Sequence, residues 1–153
     1  MTQFEKNEIN LPLTERKGKA LQAESISETS IRELVYAFYD RIQKHPNLGP
    51  VFSERIPDWT PHLEKMCTFW SSATMRTGRY SGRPLPVHRG IPDLSAELYH
   101  EWLDLFYQTT SEVFTESDAA IFNAMATRMA QNMVHALDLG ELRIPKGSGL
   151  DRA

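Results

Sequence analysis

The 153-residue sequence holds a single cysteine, Cys67. That excludes an intramolecular disulfide and a thiolate metal cluster, and a structural thiol in a helix is the plain reading of it. Positive charge is not in surplus. Seventeen basic residues stand against twenty acidic ones, for a formal charge of −3, so nonspecific binding to a nucleic-acid backbone is disfavoured. No apolar run approaches the roughly eighteen residues of a membrane-spanning helix. The opening stretch MTQFEKNEINLPLTERKGKA has no apolar segment of a secretory signal. A cytoplasmic protein without membrane or nucleic-acid partners is expected. Several chemical templates are absent too: HExxH, CxxC, an EF-hand loop, the paired ExxH of a di-iron bundle, the GxSxG elbow and a Walker-type phosphate loop.

What is present is helical periodicity. Apolar residues make up 41% and charged residues 24% of the chain, enough for one domain with a core. Ile31, Leu34, Val35, Phe38 and Ile42 share one face, with Tyr39 on its flank. Ser30 and Glu33 form a capping-box pattern at the start, and His45-Pro46-Asn47 with Gly49-Pro50 closes the helix. Thr60-Pro61 opens a second helix with His62, Met66, Phe69, Trp70 and Ala73 on one side, and Gly78 and Gly82 stop it. Residues 82–94 hold three prolines and two glycines, which leaves room for a turn or two of helix at most. Ser95 is the expected N-cap of a third long helix, with Leu98, Trp102, Leu105, Phe106 and Val113 inside. Thr115 and Asp118 start the fourth, with Ile121, Phe122, Met125, Met129, Met133 and Leu137 inside and Gly140 at its end. Strand periodicity is missing. The expectation is an all-α protein of four long helices over residues 26–142, with a flexible N-terminal extension (1–25) and a flexible tail (143–153).

Among the histidines, His45, His100 and His135 read as solvent-facing. His62 lies on an apolar helix side, where a satisfied, half-buried histidine competes with a ligand. His88 sits in the stiff Pro-rich break, where a fixed ligand and an ordinary loop residue are both open. Tyr39 and Trp102 join His62 on the inner side. Three polar donors converging on an apolar interior suggest a pocket for a polar ligand.

The ordered pieces AFYDRI (37–42), LGPVF (48–52), HLEKMCTFW (62–70), GRYSGRPLPVH (78–88) and LYHEWLDLF (98–106) resemble the truncated haemoglobins, most closely their group III. The paired-glycine motifs of groups I and II are missing, as that group implies. The resemblance implies a globin-like two-over-two sandwich, pairing the first helix with the second and the third with the fourth around haem b. The proximal segment would be a short loop or helix. By that resemblance His88 is the proximal iron ligand. Tyr39, His62 and Trp102 form the distal, ligand-stabilising trio, with His62 a further candidate ligand. Phe38, Phe52, Met66, Phe69, Trp70 and Phe106 line the pocket, and Lys65 and Tyr80 meet the haem propionates. The implied ligands are dioxygen, nitric oxide, carbon monoxide, cyanide, azide and sulfide. Strong distal donors favour oxygen, nitric-oxide or peroxide chemistry and detoxification over oxygen transport, with dioxygenase- or peroxidase-like activity and a reductase partner in view. The competing function is a haem-based gas or redox sensor or partner-binding module that uses residues 1–25.

Overall fold

The computed structural model describes residues 26–78 and 88–146. The extension 1–25, Tyr80 and Gly82 in the Pro-rich break, and the end of the tail lie outside these residues. Among the described residues there are five helices: α1 (Glu28–Lys44), α2 (Leu48–Arg55), α3 (Trp59–Met75), α4 (Ala96–Val113) and α5 (Glu116–Ala136). The four long ones are those expected from the periodicity. α1 packs on α3, α4 packs on α5, and the pairs meet where α1 crosses α4. This is a two-over-two sandwich, and α2 closes one side against α1 and α4.

The ends of the elements show which local signals prevailed. α1 starts one turn earlier than the Ser30/Glu33 pattern indicates. Ser27 Oγ accepts from the Ser30 N–H at 3.1 Å, and Ser30 Oγ accepts from the Ser27 N–H at 2.9 Å. Two capping boxes overlap in the sequence; the earlier one adds a turn that buries Ser30 and Ile31. α1 ends at His45, as expected, but Gly49-Pro50 does not break the chain. It lies in the first turn of α2, where proline lacks only an N–H that would have no helical partner. His45 is half-buried and serves as a cap: its Nδ1 accepts from the N–H groups of Asn47 and Leu48, each at 3.1 Å.

α3 begins one residue before Thr60-Pro61, with Asp58 accepting from the Thr60 N–H at 3.2 Å. It ends at Arg76, whose φ of 57° is left-handed. Ser95 and Thr115 cap α4 and α5 as expected, accepting from Leu98 N–H at 3.1 Å and Asp118 N–H at 3.3 Å. On α5 the expected stripe is corrected. Ile121 is 44% exposed, and the buried positions are Ala119, Phe122, Asn123, Ala126, Thr127, Ala130 and Val134. Small residues let α4 approach closely, and polar ones bond across. Thr110 Oγ1 donates to Asn123 Oδ1 at 2.8 Å, and the Tyr107 and Thr127 hydroxyls pair.

Candidate functional site

A cavity of about 320 Å³ opens between the helix pairs and is lined mainly by apolar side chains. α2 supplies Leu48, Val51 and Phe52, α4 supplies Leu98, and α5 supplies Met129, Ala130 and Met133. Six residues with polar or charged groups join them: Tyr39, Arg55, His62, His88, Tyr99 and Trp102. Four of the positions singled out in the sequence, Tyr39, His62, His88 and Trp102, therefore lie on the wall of one cavity, although they come from α1, α3, α4 and the segment before α4. Phe52 joins them from α2.

Tyr39 is 5% exposed and makes no hydrogen bond to another described residue. Burial pushes its hydroxyl well above the usual tyrosine range, so it stays a neutral donor. Burial, and then the charge of Lys65, lower the pKa of His62 and favour a neutral ring. Its Nε2 is buried with no hydrogen-bond partner among the described residues. The His62 ring instead meets Tyr39 edge-on at 5.0 Å and Trp59 edge-on at 5.8 Å. Trp102 stacks on Phe106 at 5.5 Å between ring centroids.

His88 lies 6.4 Å from Tyr99, ring centre to ring centre. Tyr99 was not singled out in the sequence because it falls just off the inner stripe of α4. Its hydroxyl is buried without a partner among the described residues, and burial pushes its pKa up to about 12. Arg55, an exposed cation on the cavity wall, and Ile91 and Leu94, late in the Pro-rich break, were missed as well. No periodic pattern marks such positions; only closure of the fold brings them to the cavity.

Other expected pocket residues sit elsewhere. Phe38, Trp70 and Phe106 are buried behind the cavity wall rather than on it. Phe38 packs edge-on against Tyr39, Trp102 and Phe106 at 5.1–5.7 Å. Trp70 stacks on Phe106 at 5.2 Å. They form a second layer that stiffens the first. Met66 and Phe69 are half-buried against the core, and Lys65 is exposed on α3; none is on the cavity wall. Tyr80 lies outside the described residues.

Among the described residues no group of three or more His, Cys, Asp or Glu side chains gathers to hold a bare metal ion. The donor set instead suits a cofactor that brings most of its own metal ligands: His88 beside an apolar slot, with buried polar atoms at His62 and Tyr99 that lack partners among the described residues.

No protein-family profile matches the chain. The chain is 30% identical over 122 residues to the group 3 truncated hemoglobin ctb of Campylobacter jejuni, covering 75% of this chain and 96% of that protein. It superposes on the crystal structure of group III truncated hemoglobin from Campylobacter jejuni with a TM-score of 0.72 and 29% identity, covering 76% of this chain and 95% of that one.

Proposed function

The chain belongs to the group III truncated haemoglobins, a family with a globin-type haem ligand-binding role, and we propose that it is a cytoplasmic haem b protein whose cavity serves oxygen, nitric-oxide or peroxide redox chemistry and detoxification. The observation that carries this reading is the gathering of His88, Tyr39, His62 and Trp102 around one largely apolar cavity. Haem, when bound, supplies an iron that exchanges electrons and takes up small diatomic or anionic molecules.

The rest of the work falls to the chain. His88, which lines the cavity just ahead of α4, would hold the iron through one ring nitrogen. The apolar side chains of α2 and α5 exclude water from the slot, which strengthens every polar contact inside it. Tyr39 Oη and Trp102 Nε1 are donors, and they favour a small ligand that carries partial negative charge. His62, kept neutral by burial, adds a third polar atom and stands as a gate when it swings aside. Arg55, together with the expected Lys65 and Tyr80, provides groups for the carboxylates of the cofactor. Strong donors hold a charged ligand and slow its departure. They therefore suit reaction with dioxygen or nitric oxide, with electrons from a reductase partner, better than oxygen transport. Carbon monoxide, cyanide, azide and sulfide fit the same site.

The assignment of His88 is tested by His88→Gly. The variant should lose most of its haem on purification, and added imidazole should restore part of the visible spectrum. Full haem occupancy with an unchanged ferrous spectrum would reject it.

A further inference from the structure

We propose that Trp59 is a positioning residue that holds the His62 ring turned into the cavity, and thereby sets how often the entry path is open; this rests on His62 acting as the gate. Trp59 is the first residue of α3, placed by the Asp58 cap three positions before His62, so the two side chains project from the same side of the helix. The His62 ring meets Tyr39 at 5.0 Å and 88° and Trp59 at 5.8 Å and 86°, and Trp59 and Tyr39 close the triangle at 6.0 Å. Among the described residues no hydrogen bond anchors the His62 ring, and its Nε2 is buried without a partner. Aromatic contacts are therefore what orient it.

The two contacts are not equivalent. Tyr39 is fixed in the buried core, whereas Trp59 is half-buried at the start of a helix. Trp59 is also absent from the cavity wall. Its influence on a ligand in the cavity must then pass through the wall residues it meets, His62 and Tyr39, and the variants below separate the two routes.

The test is carbon monoxide association after flash photolysis of the haem-loaded protein. The set comprises wild type, Trp59→Ala, Trp59→Phe, His62→Leu and the double variant Trp59→Ala/His62→Leu. Edge-to-face ring pairs hold an orientation weakly enough that losing one should raise the association rate about three- to tenfold. Trp59→Phe keeps a ring and should stay near wild type. The double variant should match His62→Leu alone, which a purely structural role for Trp59 would not produce. In the diamagnetic carbon monoxide form, the His62 ring proton resonances should shift in Trp59→Ala and remain near their wild-type positions in Trp59→Phe. Trp59→Leu, which keeps bulk but not the ring, carries the same expectation should Trp59→Ala fail to fold. Acceleration by His62→Leu with none from Trp59→Ala or Trp59→Leu overturns the proposal and leaves the gate intact. Equal acceleration by Trp59→Ala with and without His62 also overturns it. An unchanged rate in His62→Leu removes the gate itself and the role of Trp59 with it.

Discussion

Tyr39 and Trp102 bring one donor each to the same cavity from α1 and α4. A neutral hydrogen bond contributes about 0.5–1.5 kcal/mol net, and one to a charged group about 1.5–3 kcal/mol. A ligand with partial charge lies between these ranges, and ~1.4 kcal/mol is a factor of ten. Tyr39→Phe and Trp102→Phe should therefore each speed dioxygen release from the ferrous protein by roughly ten- to a hundredfold. Carbon monoxide, which carries little charge, should respond much less. The double variant should fall short of the product of the singles, because both donors serve one ligand. Stopped-flow displacement on the three variants decides this, and three wild-type rates would refute the polar pocket. At this scale the sequence marked the donors by residue type and helical side. It did not mark Tyr99 or Arg55, whose approach to the cavity depends on how α4 and α2 are rotated once packed.

Helix α2 is the element that periodicity concealed. Eight residues are too few for a repeat to stand out, and Gly49-Pro50 looks like a terminator. Its glycine has a packing reason. A Cβ built at Gly49 would lie 2.9 Å from the Gln43 carbonyl oxygen and 3.3 Å from that of Ile42. The end of α1 and the start of α2 thus approach backbone to backbone, and neither can yield as a flexible side chain would. Gly49→Ala should destabilise the fold by about 1–3 kcal/mol through overpacking. For a domain of this size that lowers the melting temperature by roughly 2–4 °C per kcal/mol. Since α2 carries Leu48, Val51 and Phe52 of the cavity wall, haem should also dissociate faster. Thermal melts and haem transfer to an acceptor globin check both; a wild-type melt would show that the backbones separate freely.

Across the whole molecule, α1 is tied to α3 by polar bonds, exposed around Glu64 and reaching inward at the buried Ser71. Arg32 pairs with Glu64, with one N–O distance of 3.0 Å, and Tyr36 donates to Glu64 at 2.8 Å. Ser71 on α3 donates to Glu28 on α1 at 2.9 Å. The Arg32 hydrogen bond, and then that of Tyr36, hold the Glu64 carboxyl down at about 2 against an ordinary 4.5. A carboxyl depressed in the folded state stabilises fully above its unfolded pKa, and that stability is lost as pH falls through the folded value. The difference in urea midpoint between wild type and Glu64→Gln should therefore be present at pH 7 and shrink between pH values of about 4.5 and 2. It should also shrink with added salt, because the groups are exposed. A difference that holds constant down to pH values of about 2 would exclude this network as its source.

The sequence alone determined the helical class and the four long helices, because a 3.6-residue repeat of apolar side chains demands a buried face whatever it packs against. It determined the caps at Ser95 and Thr115, because those bonds close within three residues. The motif resemblance marked His88, His62, Tyr39 and Trp102, which lie on the wall of one cavity. Only the tertiary structure decided which aromatic residues face that cavity and which stand behind it. Phe38, Trp70 and Phe106 share the apolar helix faces with the wall residues, and periodicity gives a face but not its depth. It also decided that small residues on α5 turn toward α4 while Met129 and Met133 turn to the cavity. That choice follows from how closely two helices can approach, a distance set by both partners and written in neither alone.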